Sequence, residues 1–575
     1  MHVSILSRVL ILFLLHVLPI ATEHVLPPQR PLQKSDTAAT VKKTHRVAII
    51  GAGPGGSSAS YHLDKFSRLS SLDTPLDITI FDTNPYIGGR TTTVNALEDP
   101  RYPVELGASI FVEINHILYN ATRDFDLTPS LKIYQATPTA KYELGIWDGV
   151  EFVFKTVRED DDGGSSSWRG WWDIAKLLWK YGLSPIRTQR ATKAAISSFL
   201  RFYDDYFPFT SLQDAVMKTG LDTYTGATGK EVLENAGVGG RFAREIIQAS
   251  TRVNYASNLG GIHGLETLVC MAIEGAMAVH GGNWQIFDTM VKNSAQRAFL
   301  NTSVTHVERT SKGTYLLQTD NEELKSAGTG EQEVDFDTVI LAAPYQFANI
   351  SFTPQLLSPP DKIPYVSLYV TLFTSPHRPM PAFFGLGDDE QDDVPSSIIT
   401  TLPEDLNERL GSRHGVEAVG PSGFWSISTL KVLHPESDGR FAGPMSEFDS
   451  STEETEESTQ YLYKIFSPAP LTGSFLSELL GFEYRPPSDD DEEDSLGSLP
   501  KKDVSWFYEK MWHSYPYELP RTAFVNFTLQ MDEDQDRGLY YLSGMESFIS
   551  TMETSALAGM NVAKLIVEGL KTRES

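Results

Sequence analysis

The chain has 575 residues, 41% of them apolar, and a formal net charge of −27. That length holds more than one core-sized unit, and the negative balance excludes nucleic acid as a natural partner. Much of the charge lies in acidic runs at 159–162, 388–393, 447–457 and 489–494. These read as solvated loops, and none has the spaced ligands and turn glycine of a calcium loop, so no metal site is expected.

At the N-terminus, Arg8 precedes an apolar run from Val9 to Val17, with small residues near Ala21 and Thr22. The run is short for a membrane span and suits a signal peptide over 1–22, followed by a flexible leader over 23–44. A retained anchor is the competing reading. Four N-x-S/T sequons, at Asn120, Asn301, Asn349 and Asn526, agree with a secretory route. Cys270 is the only cysteine, so no intramolecular disulfide and no CxxC redox centre can form. It sits in an apolar stretch and reads as a small buried hydrophobe.

The strongest chemical signal runs from Arg46 to Arg90. Val47 to Ile50 reads as a buried strand that leads into Gly51, Gly53 and Gly56 and then a helix-like segment. Gly51 allows the tight turn, Gly53 lets the backbone approach a pyrophosphate, and Gly56 lets helix and strand pack closely. The helix N-terminus then offers N–H groups and a positive dipole end. A second strand, Ile78 to Phe81, ends at Asp82, whose carboxylate can accept from both ribose hydroxyls. Gly88, Gly89 and Arg90 follow as a D-x5-GGR run. Two glycines give close approach, and the arginine adds a cation beside a diphosphate. The run resembles the second FAD signature of the flavin amine oxidase superfamily, and that resemblance favours FAD; an NAD-binding domain with GGR as an ordinary turn is the alternative.

Further along, Trp172 to Leu183 has helical spacing. The aromatics Trp168, Trp171, Trp172, Trp179, Tyr181, Phe199, Phe202, Tyr203, Tyr206 and Phe207 cluster around it. A core-packed helix and an apolar substrate tunnel would use the same residue types. After Gly281-Gly282-Asn283 come a helix-like segment, a hairpin over Ser303–Arg309 and Thr314–Gln318, and a buried strand at Phe336–Ala342. Val366–Phe373 and Phe424–Leu430 are strand-like. Gly538–Leu542 reads as a last strand, and Thr551–Leu570 as a last helix. The expected fold is α/β (α+β overall). A Rossmann-like FAD-binding domain is assembled from 45–129, 281–344 and 536–575. A substrate domain of mixed sheet and helices is inserted as 130–280 and 345–535, with acidic loops near 447–457 and 488–495.

Several segments resemble the prenylcysteine oxidases, also called prenylcysteine or farnesylcysteine lyases, within the flavin amine oxidase-like superfamily. They are Val104–Phe111 (VELGASIF), Leu177–Leu183 (LLWKYGL), Arg252–Tyr255 (RVNY) followed by Gly281–Asn283 (GGN), and Gly538–Ala556 (GLYYLSGMESFISTMETSA). The resemblance implies an FAD-dependent thioether oxidase, secreted or lysosomal (vacuolar), that converts a prenylated cysteine and oxygen to cysteine, prenyl aldehyde and hydrogen peroxide. It implies that Gly51, Gly53 and Gly56 cradle the pyrophosphate and that Asp82 holds the ribose. Gly89 and Arg90 would close on the diphosphate, Val304 would pair its backbone with adenine, and Glu553 would hold the flavin or its ribityl chain. Asn254, Tyr255 and Asn283 are catalytic candidates, with structural hydrogen bonding as the alternative; His263 and His280 lie nearby. Two places differ from the family pattern: Leu259–His280, and Thr554, where a bulkier Met is expected. A secreted oxidase of an amine or another thioether, and a non-catalytic flavoprotein or lipid carrier, are the competing functions. No stable membrane span is expected after signal cleavage; peripheral membrane contact stays open.

Overall fold

The computed structural model describes residues 44–130, 140–158, 177–321, 335–433, 459–487, 493–533 and 538–575. The expected signal peptide, nearly all of the leader, the 447–457 loop, Trp168, Trp171 and Trp172 lie outside them.

A five-stranded sheet forms the nucleotide side, in the order Leu539–Tyr541, Thr338–Leu341, His45–Ile50, Leu76–Phe81, Arg297–Phe299. Every pairing in it is parallel. Parallel strands are covered on both faces, which is why Val47, Ala48 and Ile49 at its centre, and Val339 and Ile340 beside them, are fully buried. The helix Pro54–Leu69 packs on the final helix, Met552–Glu574. A Cβ at Gly559 would fall inside contact distance of Gly55 O, so the two backbones meet with no side chain between them. The hairpin is found at Val304–Arg309 and Tyr315–Thr319. Ser351–Thr353 adds to it in parallel, so the chain beyond residue 344 still contributes to the nucleotide side.

A seven-stranded mixed sheet forms the other half. Its order is Trp506–Pro516, Tyr365–Ser375, Gln460–Ser467, Ser426–Leu433, Ser397–Thr400, Tyr142–Trp147, Phe152–Val157. Alternation along its strands sends Phe373 and Tyr463 into one core with Leu476 and Leu479, and Leu372 and Leu462 into another with Trp425. The Arg252 guanidinium joins this sheet to the helix Gln248–Tyr255. It donates to Ala418 O, Val419 O, Asn258 Oδ1 and Thr400 Oγ1 and lies over the Trp425 ring. No carboxylate is among those bonds, and burial pulls the Arg252 pKa down to about 9.

The expected helix ending at Leu183 is described from Leu177. It is helical to Tyr181, and Gly182, at φ +61°, turns the chain into the helix Ser184–Leu200. Beyond that helix, Phe202 is fully buried and packs against Phe199, Phe209 and Phe548. These aromatics are core. Trp179 is 91% exposed and belongs to neither core nor tunnel. Among the described residues no helix is long and apolar enough to cross a membrane.

Candidate functional site

Two glycine loops form one edge of the five-stranded sheet. Gly51 has φ +110°, and a Cβ there would lie 2.9 Å from Ala342 O; a Cβ at Gly56 would overlap Gly51 O. Gly53 is different: a Cβ would meet only Gly89 Cα, at 3.9 Å. Gly88 (φ +121°) and Gly89 (φ +59°) bring the second loop against the first, and Gly88 N donates to Ala52 O at 2.9 Å. The helix that starts after Gly53 has no side-chain cap. Its first-turn N–H groups are therefore offered outward at the positive end of the dipole, beside two residues without side chains. That arrangement fits the pyrophosphate of a dinucleotide.

Asp82 stands at the adjoining strand end and is 7% exposed. Its Oδ2 accepts from Ala52 N (2.6 Å), and its Oδ1 from Asn84 N (2.7 Å) and Nδ2 (2.9 Å). A carboxylate has about four lone-pair sites, so about one is left for a ribose hydroxyl where two were expected. Thr302 N donates to Asp82 O at 2.8 Å. This sets Val304, two residues later and 4% exposed, close to Asp82, where its strand begins.

Two expected roles change. Arg90 does not keep a free cation for a diphosphate. Its guanidinium donates to Ser514 O and to Glu546 Oε1, both at 2.6 Å, and the other Glu546 oxygen accepts from Tyr365 OH at 3.1 Å. Ser514 and Tyr365 lie on the large sheet, so Arg90 clamps that sheet to the loop before the final helix. The Glu553 carboxylate is hydrogen-bonded within the protein. Oε1 accepts from Ile117 N (2.8 Å) and Tyr203 OH (2.6 Å), and Oε2 from Leu118 N (3.0 Å). Glu553 thus caps the helix His116–Asp124, whose own N-cap residue, Asn115, makes no side-chain cap. Burial raises its pKa to about 7 against those bonds.

The catalytic candidates separate in space. Asn254 is exposed, and its Nδ2 donates to Ser250 O. Asn283 is fully buried: its N–H donates to Glu105 Oε1 (2.6 Å), its Oδ1 accepts from Val279 N, and its Nδ2 donates to Ala108 O. It staples the VELGAS loop to the GGN turn. Tyr255 is buried, with its OH 3.1 Å from Ser550 O and its ring edge-on to Tyr515. Tyr255 alone of the three reaches the segment ahead of the final helix. His280 is exposed. His263 is fully buried and caps the helix Gly264–Val269, and burial lowers its pKa to about 3. Thr554, the unexpected residue, completes a capping box with Thr551 at the start of the final helix. Met could not make those bonds.

Sequence reasoning missed Glu546 and Tyr365, and also the buried pair of Glu105 and Lys464. Lys464 Nζ donates to Glu105 O (2.7 Å) and Ser109 Oγ (3.2 Å), which docks the large sheet on the VELGAS loop. Burial moves the two in opposite directions, Glu105 up to about 7 and Lys464 down to about 8. A charged residue within a hydrophobic strand was the available signal for Lys464; its partners are too distant in sequence to read.

The geometry can be set beside known proteins. The NAD(P)-binding Rossmann-like domain profile matches residues 49–125, the stretch that builds the glycine edge. Farnesylcysteine lyase of Arabidopsis thaliana is 27% identical over 543 residues, covering 92% of this chain and 89% of that protein. Prenylcysteine oxidase 1 of Homo sapiens is 26% identical, covering 90% and 88%. A solved structure of a redesigned putrescine oxidase aligns with a TM-score of 0.48 at 13% identity, over 92% of this chain and 100% of that one. The family profile described as prenylcysteine lyase matches residues 164–575, from the helical insert through the large sheet to the final helix. With the dinucleotide edge built at one end and that match running through the rest, this chain belongs to the prenylcysteine lyase family.

Proposed function

We propose that this protein is an FAD-dependent thioether oxidase that cleaves a prenylated cysteine. The balanced reaction takes the thioether, O2 and water to the prenyl aldehyde, free cysteine and hydrogen peroxide. The observation that carries the reading is the pair of facing glycine loops, Gly53 against Gly89, beside an uncapped helix start, in a chain of this family. Bound there, FAD would supply the hydride acceptor for the carbon next to sulfur and pass the electrons to oxygen. The chain's own residues hold the geometry. Gly51 and Gly56 fix the turn, the first-turn N–H groups face the diphosphate, and Asp82 takes a ribose hydroxyl. Val304 sets the adenine end. The Arg90–Glu546–Tyr365 clamp holds the large sheet over the loop that leads to the final helix.

A secretory location, lysosomal or vacuolar or extracellular, goes with this reading. The apolar N-terminal run supports it, and all four sequon asparagines are exposed. Endoglycosidase treatment of the protein made in a eukaryotic host tests it, with a mobility shift expected.

Anaerobic titration of the purified protein with farnesylcysteine tests the chemistry. The expected result is bleaching of the flavin absorbance with recovery of farnesal and cysteine, and return of colour with peroxide when oxygen is admitted. A flavin that stays oxidised with farnesyl- and geranylgeranylcysteine, and bleaches with an amine, would replace this reading with amine oxidation.

A further inference from the structure

The most unusual chemistry in the molecule is a closed cluster of His263, Glu266 and Glu518. Their polar atoms lie within 4.8 Å of one another. The side chains are at most 1% exposed. All four carboxylate oxygens and His263 Nε2 are buried, and none has a partner at full hydrogen-bonding geometry; the Tyr255 side chain and the Ser550 backbone interact with Glu266 more loosely. His263 Nε2 lies 3.6 Å from Glu518 Oε2, and His263 N donates to Glu518 O at 2.6 Å.

Three kinds of occupant could satisfy such a site, and the geometry separates them. An ammonium group or a water needs space, and these atoms present no accessible surface. A metal ion needs a lone pair on His263 Nε2. His263 Nδ1 accepts the Glu266 N–H at 3.1 Å as the helix cap. In a neutral imidazole that puts the proton on Nε2, which is then a donor and not a ligand. What remains is a proton. The groups that face the cluster are Tyr255 and Cys270, beside Glu266, and Arg521 and Glu546, beside Glu518. Glu546 is already paired with Arg90. Two ionised carboxylates against Arg521 leave one uncompensated negative charge, and a single proton removes it. Burial raises Glu266 to about 8 and Glu518 well above the usual carboxylate range, in agreement.

We propose that Glu266 and Glu518 share one proton and act as the internal acid–base pair of the thioether reaction, an inference that rests on the function proposed above. The reaction needs such a pair. When water adds to the oxidised carbon, an O–H bond breaks as O–C forms, and that proton must be taken up. When the C–S bond then breaks with its electrons on sulfur, a proton must be delivered. A carboxyl pair holding one proton can do either in turn. Tyr255 is the relay in this proposal: its hydroxyl interacts with Glu266 and donates to Ser550 O just before the final helix, so it is the group through which a proton would leave the closed cluster.

Infrared spectroscopy of the full-length holoenzyme tests the shared proton. Glu105 and Glu553, both raised to about 7, give bands of their own, so the readout is the wild-type-minus-variant difference: one buried carboxylic acid band should be lost in both Glu266→Gln and Glu518→Gln, since the remaining carboxylate then balances Arg521 alone. The double variant, which leaves Arg521 unbalanced, should melt below either single variant. Flavin content checks that each variant folds. With farnesylcysteine, each single variant should lose at least tenfold in kcat with KM little changed, and the wild-type acid–base limb in the pH profile should disappear. No band lost from the difference spectrum of either variant, or one equivalent of bound metal lost in either, overturns the shared proton. Full activity in both variants with an active wild type overturns the acid–base role. A wild type inert to prenylcysteines, with the band behaving as expected, refutes the proposed function and leaves the shared proton standing.

Discussion

The glycine edge and the junction ahead of the final helix treat polar groups in opposite ways. At the glycine edge the protein removes side chains and leaves backbone N–H groups open at a helix start. At the junction around Ser543–Met552 it brings in charged side chains from distant segments and consumes nearly all of them internally. Arg90 meets Glu546, and Glu553 meets Ile117, Leu118 and Tyr203. One end is built to be completed by a ligand. The other is built to hold three separated stretches of chain in one place. Charge at the junction is therefore poor evidence of contact with a cofactor.

The sharpest way to break this comparison is within the glycine edge itself. Gly56→Val should abolish folding, because even a Cβ overlaps Gly51 O; the loss is several kcal/mol, above the ~1–3 of ordinary overpacking. Gly53→Ala should fold with an unchanged melting temperature in the apo form. It has extended backbone angles (φ −73°, ψ −174°) and room for a Cβ. Its cost should appear only as weaker FAD binding, measured by flavin titration. If both variants unfold alike, Gly53 is a packing residue and not a ligand contact. At the junction, Glu546→Gln leaves Arg90 without its counter-charge. Removing one partner of a buried pair costs ~3–5 kcal/mol, and with Arg90 one-third exposed the loss should be about 2–3, read by chemical denaturation.

The same contrast explains what could be read from sequence. Gly51, Gly53, Gly56 and Asp82 are legible because their roles depend on backbone geometry within about forty residues, and local spacing encodes it. The strands at His45–Ile50, Leu76–Phe81 and Thr338–Leu341 are legible because parallel strands buried on both faces are continuous apolar runs. The protein partners of Arg90 and Glu553 could not be read, since Glu546 and Ile117 lie hundreds of positions away and no period relates them. Asn283 was a catalytic candidate because asparagine in a GGN turn can serve a ligand or a backbone equally well; only the three bonds it makes decide the matter. The aromatic insert was undecidable for the same reason, until Phe202 and Phe548 were seen stacked in the core.

Acid should distinguish the two regions as well. Glu105 is held near 7 in the folded protein, against the usual value near 4.5. Between those values the folded state binds more protons than the unfolded one, so this group's stabilisation is complete at low pH and is lost as pH rises from 4.5 to 7. The difference is on the order of 3 kcal/mol at most. Glu105→Gln keeps an oxygen for Asn283 N–H and places an amide where Oε2 has no partner. The variant should therefore fold, and its stability should fall less steeply with pH than the wild type's over that window.

The smallest expected effect concerns Thr554. It donates to Ile549 O at 2.6 Å, and its Oγ accepts from Thr551 N at 3.1 Å. Thr554→Ala removes one half of the capping box and should cost about 1 kcal/mol. Thr554→Met should cost at least as much, because it loses the same bonds and must fit a longer side chain into a position that is 2% exposed. If Met is instead neutral, then the helix start is held by Glu553 and Ser550 contacts alone, and the junction is more tolerant than its density of bonds implies. Thermal melts of the two variants beside the wild type decide between these, and neither variant should alter FAD affinity if the glycine edge and the junction are separate devices.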